Sequence, residues 1–397
     1  MRLSTRCCVV GGGPGGMMLA FLLARAGLDV TVLEKHGDFL RDFRGDTIHP
    51  STLTVMHELG LLDEFRPLLQ NEITTLDVVL GERRITPVDF STLPPPVRFL
   101  GLMPQWDFLD FLAGKAAAYP GFRLLMRTEA TGLLDEDGRV TGVAARGPEG
   151  PLQVDCDLVV AADGRDSVVR REAALPVRDT GVPIDVLWFR LEKPDPEPPP
   201  TLAYVAHGDF VLTIDRGDYY QGGMLIPKGS LGHVRAEGLG RLRDRLVTAA
   251  PVLGGCVDGL RDWEQVKLLA VQVNHLPTWH RPGLLCIGDA AHAMSPAFGV
   301  GVNYAVQDAI AAARTLAGPL RAGVPAREHL AAVQRRRAWA TRAVQRIQVL
   351  AHRVVARPGG RTVPDPLLRL EQLTEPALQR VTARLVGLGF RPEHVAG

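Results

Sequence analysis

Three glycines near the amino terminus have the spacing of a turn that binds a dinucleotide. Gly11, Gly13 and Gly16 form a GxGxxG pattern that follows the apolar run Cys7–Val10 and precedes a helix-like stretch. Glycine at these positions allows a tight turn, close approach of the backbone to a pyrophosphate and close packing of helix on strand. Glu34 ends the next apolar run, where a carboxylate can accept hydrogen bonds from both ribose hydroxyls. The pattern therefore predicts a β-turn-α-β unit with a dinucleotide at the helix amino terminus.

An Asp-Gly turn follows another apolar run further along the chain. Asp163 and Gly164 come directly after Leu158–Ala161, which has the composition of a buried strand, and Ser167 follows as a candidate helix cap. Taken alone, this strand and turn fit a structural role and a ligand-binding role equally well.

A third segment combines an acid at a strand end with a glycine-rich loop. Asp289 comes at the carboxyl end of a predicted strand, which is where open α/β sheets bind their ligands. Pro296, Gly299 and Gly301 predict a loop whose backbone can approach a flat ligand closely. The helix expected from Asn303 onward would direct its positive end at that ligand, which suits an anionic ring system.

These segments belong to βα units that are separated by strand-rich insertions. The predicted fold class is α/β, with a Rossmann-like dinucleotide-binding domain, an interleaved antiparallel-sheet domain and C-terminal helices. We expect the dinucleotide-binding domain at residues 1–72, 101–176 and 276–330, the antiparallel-sheet domain for the substrate at 73–100 and 177–275, and the helical region at 331–397.

The composition argues against several classes of protein. The 397 residues include 45 Lys and Arg against 44 Asp and Glu, a net charge of +1, which does not favour nucleic acid as the main partner. Five scattered cysteines without a CxxC pair or zinc-type spacing argue against a disulfide oxidoreductase and a metal site. No signal peptide and no run of about eighteen apolar residues is visible, so we expect a cytoplasmic protein without a membrane span.

In their order and spacing, the three segments resemble those of the FAD-dependent aromatic hydroxylases of the para-hydroxybenzoate hydroxylase type, which are single-component flavoprotein monooxygenases. The resemblance implies non-covalent FAD, with Asp289 on the ribitol chain and residues 299–303 along the isoalloxazine. Arg44 and Gln105 fall where the family has further FAD contacts. The cofactor-binding residues implied by the resemblance are Gly11, Gly13, Pro14, Gly15, Gly16, Glu34, Lys35, Arg44, Gln105, Asp163, Gly164, Asp289, Pro296, Gly299, Val300, Gly301 and Asn303.

The resemblance also implies the reaction. NADPH or NADH, bound only transiently, would reduce FAD, and a flavin C4a-hydroperoxide would hydroxylate an electron-rich aromatic or polyketide-like substrate. Because the flavin performs the chemistry, no side chain is a certain catalyst, and His49, Arg190 and Tyr220 are the candidates. We expect a monomer or homodimer with no nucleic-acid partner.

Residues that line the substrate site are expected on the inserted strands. Side chains alternate between the two faces of a strand, and the sequence leaves open which face looks towards the flavin. The apolar and aromatic majority predicts a lipophilic, polycyclic substrate rather than a small benzoate, which would need a cationic clamp. The candidates are Trp188, Arg190, Tyr204, Leu212, Ile214, Tyr220, Gln221, Met224 and Pro227.

Two other reactions on the same fold stay open. One is a flavin-dependent reductase or dehydrogenase that acts on a polyprenyl or polyketide chain without oxygen insertion, and the other is a Baeyer–Villiger or epoxidising monooxygenase. A non-enzymatic carrier is disfavoured because all three segments are intact. Halogenation is disfavoured because no WxWxIP segment is present, and we expect no thioredoxin-like tail. His292 is expected to pack or cap rather than to catalyse.

Overall fold

The computed structural model of the chain describes residues 1–40, 47–195, 197–198, 201–355 and 376–395. In chain order, the strands are β1 (Arg2–Val10), β2 (Val30–Leu33), β3 (Thr47–Ile48), β4 (Asn71–Ile73), β5 (Thr75–Leu80), β6 (Arg83–Asp89), β7 (Leu100–Leu102), β8 (Phe122–Leu125), β9 (Glu129–Glu136), β10 (Arg139–Gly147), β11 (Gly150–Ala161), β12 (Arg178–Asp179), β13 (Ile184–Glu192), β14 (Ala203–Ala206), β15 (Asp209–Asp215), β16 (Tyr219–Pro227), β17 (Lys267–Leu269), β18 (Asn274–His275), β19 (His280–Arg281) and β20 (Leu284–Cys286). The α-helices are α1 (Pro14–Arg25), α2 (Pro50–Glu58), α3 (Leu62–Phe65), α4 (Gln105–Ala117), α5 (Val168–Glu172), α6 (Leu231–Glu237), α7 (Leu239–Ala249), α8 (Gly301–Ala322) and α9 (Arg327–Val355).

Parallel strands form the centre of the first sheet, in the order β20, β11, β1, β2 and β8. Cys7–Val10 and the whole of β2 are buried, which is why both read as unbroken apolar runs in the sequence. Strand β19 pairs with β20, while β10 pairs with the first half of β11 and β9 with β10. Helix α1 connects β1 to β2 and packs against α8. The expected Rossmann-like arrangement is confirmed.

The inserted strands form a seven-stranded sheet in the order β17, β13, β16, β15, β14, β5 and β6. All neighbours in it are antiparallel except β14 and β5, which run parallel. Helices α6 and α7 pack on one face, which we call the α7 face; the opposite face is called the second face. Strands from two distant stretches of the chain thus share one sheet, as expected for an interleaved insertion.

The C-terminal part of the chain lies across the parallel-sheet domain. Helix α9 packs on α8 and touches β19. The last described segment contains a helical turn, Arg384–Leu388, whose Val386 packs with Phe90 and Leu93 in a cluster that also includes residues of β5, β6 and β7. The six predicted segment boundaries stay a prediction. None of the helices in the described ranges is both long and apolar enough to cross a bilayer.

Candidate functional site

The glycine turn lies at the carboxyl end of β1, against the segment that follows β11. Gly11 has a φ of +104°, and a Cβ there would overlap the backbone of Ala162. A Cβ on Gly16 would overlap the Gly11 carbonyl, so α1 can pack this closely only on glycine. Around Gly13, in contrast, the nearest atom to a Cβ would be 4.0 Å away, and no side chain caps α1. The turn therefore presents open backbone and a helix amino terminus, which suit an anionic ligand.

Glu34 touches this turn, as the spacing predicts. Its side chain is buried, and Oε2 accepts the Gly12 backbone N–H at 2.9 Å. Oε1 accepts the His36 backbone N–H at 3.0 Å and lies 2.7 Å from the His36 Nδ1. The carboxylate is thus held at the edge of the turn, where a ribose bound beside the pyrophosphate would lie.

The Asp-Gly segment uses its acid to build the following helix. Asp163 Oδ1 accepts the Ser167 hydroxyl at 2.5 Å and Oδ2 accepts the Val169 N–H at 3.3 Å. Ser167 in turn caps α5 by accepting the Arg170 N–H at 3.0 Å. Burial raises the pKa of Asp163, although these hydrogen bonds act in the opposite direction. Gly164, with φ +86° and no atom near a Cβ position, leaves the turn open on its outer side.

An ion pair joins the Asp-Gly segment to the Asp289 segment. Arg165 Nε donates to Asp289 Oδ2 at 2.9 Å, and both side chains are partly exposed. Arg165 also donates to the Met294 carbonyl at 3.3 Å, and Arg170 donates to the Ala290 carbonyl at 3.2 Å. Arg165 was not among the predicted site residues. Its position directly after the Asp-Gly turn, at the carboxyl end of β11, is the signal that could have identified it.

The residues 296–301, which we call the Gly299 loop, are tied to the chain before α2. Asn303 is buried, and its Oδ1 accepts the His49 N–H at 3.0 Å and the Thr52 hydroxyl at 2.6 Å. The Thr47 hydroxyl donates to the Gly299 carbonyl at 3.0 Å. The Asn303 side chain thus fixes the start of α8 against the chain around His49, and Thr47 fixes the loop at Gly299.

Phe298 in this loop has a backbone conformation that favours glycine. Its φ is +66° and its ψ is +1°, in the left-handed region, which costs a residue with a Cβ about 1–2 kcal/mol. Its side chain is 45% exposed, while Val300 and Met294 nearby are buried. The loop therefore holds one aromatic ring outside the core at the expense of backbone strain.

His49 is a buried, neutral histidine beside the Gly299 loop. Its Nδ1 lies 2.7 Å from the Val386 carbonyl oxygen, which can only accept, so Nδ1 carries the proton. Burial lowers the pKa of His49 to about 4, although the carbonyls of Val386, Gly299 and Phe298 act in the opposite direction. Its Nε2 is buried with no hydrogen-bond partner among the described residues. The ring is therefore an acceptor and not a charged base at neutral pH.

Helix α9 supplies anchors that the sequence analysis missed. Gln348 Nε2 donates to the carbonyls of Ser295 and Ala297 at 3.1 and 2.8 Å, and its Oε1 accepts the Ser295 N–H at 3.3 Å. The Ser295 hydroxyl lies 2.6 Å from His352 Nε2, and burial lowers the pKa of His352 to about 4. Gln345 holds the neighbouring Ala293 carbonyl at 2.9 Å. Gln345, Gln348 and His352 are three and four positions apart, which places them on one face of the helix. Polar residues on a helix face that is otherwise apolar are the signal that could have identified these anchors.

A buried cluster of charges holds the start of the Asp289 segment. Asp308 accepts the Gly288 N–H at 3.0 Å, the Arg337 Nε at 3.0 Å, and lies 2.5 Å from His292 Nε2. Burial acts to raise the pKa of Asp308, but His292 and Arg337 outweigh it and hold that pKa below its usual value. The His292 ring also packs on Trp279, with ring centres 4.9 Å apart. This is the packing role expected for His292.

The faces of the seven-stranded sheet separate the predicted substrate residues. Tyr204, Tyr220 and Met224 lie on the α7 face, in one buried cluster with the side chains of α7. The second face looks towards the segment Arg384–Leu388, because Ile214 packs in the cluster of Val386, and the Val386 carbonyl accepts a hydrogen bond from His49. The substrate assignment of those three residues is therefore corrected: the strand alternation directs them into the core under α7. The predicted residues on the second face are Trp188, Arg190, Leu212, Ile214 and Gln221.

Three of the residues predicted to line the substrate site have surroundings that limit their roles. Arg190 is exposed, with its guanidinium 4.0 Å from the centre of the Tyr219 ring. Tyr220 cannot serve as a base at neutral pH, because burial and the neighbouring Glu197 raise its pKa to about 12. Pro227 lies exposed at the end of β16.

The cofactor roles of several other residues stay predictions, and among these residues Gly15 packs closely on Ala305 of α8. Pro14 and Gly15 begin α1, Lys35 is exposed next to Glu34, and Gln105 begins α4. Arg44 lies outside the described residues. Within the described ranges, no three His, Cys, Asp or Glu side chains are grouped so as to hold a metal ion.

Comparisons with known proteins agree on one family. A family model described as "FAD binding domain" matches residues 4–347. A 6-methylpretetramide 4-monooxygenase of Streptomyces rimosus is 34% identical over 365 residues, which are 89% of this chain and 85% of that protein. A digeranylgeranylglycerophospholipid reductase of Thermoplasma volcanium is 25% identical over 316 residues, 77% of this chain and 76% of that protein. The solved structure of an anhydrotetracycline hydroxylase of Streptomyces rimosus shares the fold, with a TM-score of 0.78 and 23% identity over 98% of this chain and 76% of that one.

Proposed function

The chain belongs to the FAD binding domain family and, within it, to the FAD-dependent aromatic hydroxylases, and from this premise we propose that it hydroxylates a fused polycyclic aromatic substrate of polyketide type. In the proposed reaction, one atom of O₂ enters the product and the other leaves as water. NADPH or NADH is oxidised and supplies the two electrons.

One observation carries the proposal: the three predicted cofactor segments meet at the carboxyl ends of β1, β11 and β20. The residues present fit FAD. An uncapped helix amino terminus with open backbone at Gly13 suits the pyrophosphate, and Glu34 lies where a ribose would follow. When bound, FAD supplies the electron transfer and oxygen activation that the reaction needs.

The protein's own residues would position FAD and substrate and exclude water. Asp289, held by Arg165, would accept hydrogen bonds from the ribitol, and the Gly299 loop would lie along the ring system. Arg44 is proposed for a phosphate or flavin contact on the resemblance alone.

The polycyclic substrate class is supported by two observations. The 6-methylpretetramide 4-monooxygenase is named for a fused-ring polyketide substrate and covers most of this chain. The second face carries Trp188, Leu212 and Ile214, whose side chains suit a large apolar ligand. Of the two arginines that could form a benzoate-type clamp, Arg190 is exposed and stacked on Tyr219, and Arg216 is buried and donates to the Gln221 side chain at 3.1 Å.

Oxygen labelling tests this function. The FAD-loaded enzyme is supplied with NADPH or NADH under ¹⁸O₂, with 6-methylpretetramide and anhydrotetracycline as fused-ring probes and p-nitrophenol as a single-ring probe. We expect a fused-ring probe to accelerate reduced-nicotinamide oxidation at least about tenfold and the product to gain one ¹⁸O. Hydroxylation of p-nitrophenol alone would contradict the substrate class.

A reductase is the second candidate, because a digeranylgeranylglycerophospholipid reductase is among the relatives. A reductase would consume the reduced nicotinamide without oxygen and add hydrogen to the substrate. Anaerobic product formation, or a product without ¹⁸O, would therefore replace the monooxygenase assignment by this one.

A further inference from the structure

We propose that Phe298 is a specificity-determining residue, whose ring forms an aromatic platform that selects a fused polycyclic substrate over a single-ring one. The inference rests on the proposed function for the location of the substrate, and on the conformation of the Gly299 loop for the choice of residue.

The strained conformation of Phe298 is imposed by its neighbours on both sides. Before it, the Ala297 N–H donates to the Ser295 hydroxyl at 3.1 Å, and the Ala297 carbonyl accepts from Gln348 at 2.8 Å. After it, the Gly299 carbonyl accepts from Thr47 at 3.0 Å. A strained backbone conformation persists only where contacts with the surrounding structure hold it, and such conformations are concentrated at ligand sites. The loop therefore holds residue 298 in one orientation that a relaxed backbone would not adopt.

Phe298 is the exposed residue of a loop whose neighbours are more buried. Its relative exposure is 45%, whereas that of the loop's Val300 is 4%. An exposed aromatic ring on a strained backbone is available for a ligand contact, which is the use that the proposal assigns to it.

The position of Phe298 is suited to a substrate on the second face. The carbonyls of Phe298 and Gly299 are near the imidazole of His49, whose Nδ1 donates to the Val386 carbonyl. Val386 packs in the cluster that includes Ile214 of the second face. Phe298 thus belongs to a loop that is connected through His49 to the segment packed against the second face, and the proposal places the substrate on this side of the loop.

An aromatic ring at this position favours extended planar ligands. Offset or edge-to-face contact with Phe298 is available to a ligand that reaches from the second face to the loop. A fused tetracycle has further rings that can contact Phe298 while one ring is in the reacting position, whereas a single phenol ring has none. The contact therefore contributes to the affinity of fused-ring substrates and much less to that of single-ring phenols.

Ligand titration of the FAD-loaded enzyme tests this role without turnover. Changes in the flavin absorbance spectrum give dissociation constants for anhydrotetracycline and p-nitrophenol in the wild type and in Phe298→Ala, Phe298→Leu and Phe298→Tyr. Leu268→Ala is the matched control, because it removes an exposed apolar side chain from edge strand β17. FAD content and melting temperature are measured for each variant, and Phe298→Gly, which relieves the strain, is included for its melting temperature.

We expect Phe298→Ala and Phe298→Leu to lower the ratio of anhydrotetracycline affinity to p-nitrophenol affinity about tenfold, while Phe298→Tyr and Leu268→Ala keep the wild-type ratio. Phe298→Gly should melt at a higher temperature than the wild type. An unchanged ratio in Phe298→Ala, an equal loss for both ligands, or a wild type that does not prefer the tetracycle would each overturn the platform. These titrations measure ligand binding without turnover. The monooxygenase function is tested independently by ¹⁸O incorporation, so the two proposals can fail separately.

Discussion

At the scale of single residues, Asp289 is the predicted FAD ligand whose role is easiest to isolate. Its carboxylate is partly exposed at the end of β20 and bonded to Arg165, so its removal leaves the sheet intact. We expect Asp289→Ala to weaken FAD binding at least about tenfold, since a hydrogen bond to a charged group is worth about 1.5–3 kcal/mol. Flavin retained through gel filtration measures this.

A matched variant controls for the loss of a carboxylate as such. Asp258→Ala removes an acid that is almost fully exposed in a short helical turn away from the site, and it should retain FAD as the wild type does. If Asp289→Ala also keeps its full complement of flavin, the proposed ribitol contact is wrong.

Tyr220 illustrates how the strand face decides the effect of a substitution. Because Tyr220 is buried on the α7 face, we expect Tyr220→Ala to lower the free energy of unfolding by about 3 kcal/mol through the cavity it leaves. The amount of hydroxylated product formed per reduced nicotinamide oxidised should stay unchanged. Urea unfolding and a hydrogen peroxide assay measure the two effects; increased peroxide with unchanged stability would instead restore Tyr220 to the substrate site.

At the scale of elements, helix α9 supports a loop that is some fifty residues earlier in the chain. Gln348 makes three hydrogen bonds to the backbone of Ser295 and Ala297. Gln348→Met keeps the volume of the side chain but removes all three bonds, each worth about 0.5–1.5 kcal/mol. We therefore expect FAD to bind about tenfold more weakly while α9 stays folded, as flavin fluorescence titration and circular dichroism will show.

An exposed residue on the same helix provides the comparison. Arg346 is two positions before Gln348 and faces solvent. The Arg346→Ala variant should therefore bind FAD with the affinity of the wild type. Equal affinities in Gln348→Met and Arg346→Ala would mean that α9 does not position the Gly299 loop.

At the scale of the whole molecule, buried histidines make stability depend on pH: burial lowers the pKa of His275 and His280, and the effect is large for two others. Burial lowers the pKa of His49 and of His352 to about 4, from 6.5 in the unfolded chain. Between these values the unfolded chain binds more protons than the folded one, so the free energy of unfolding falls as the pH is lowered from 6.5 towards 4. Each histidine contributes about 1.4 kcal/mol per pH unit in this window.

Urea unfolding at pH 7, 6 and 5 with saturating FAD measures this dependence. We expect His352→Asn to reduce the slope by up to about 1.4 kcal/mol per pH unit, because one of the histidines whose pKa is lowered by burial is then absent. His233→Asn, at an exposed histidine of α6, should leave the slope unchanged. If the His352→Asn protein kept the wild-type slope, the pKa of His352 would not differ between the folded and the unfolded state.

Much of the parallel-sheet domain could be predicted from the sequence because its signals are local. Continuous apolar runs gave the positions of β2 and of the buried half of β1, and glycine at positions 11 and 16 is required by contacts within the same βα unit. The spacing from the glycine turn to Glu34 likewise brought the carboxylate to Gly12. In each case the residues that must meet are joined by one short unit, so their spacing determines their geometry.

The tertiary structure alone decided the features that join distant segments. Both faces of β13 and β16 carry apolar side chains, so alternation could not tell which face lies under α7 and which looks towards the segment Arg384–Leu388. The Arg165–Asp289 pair, the Gln348 anchors and the proton position on His49 each depend on a partner more than fifty residues away. Sequence spacing carries no information about such partners, because long-range packing and not local conformation places them side by side.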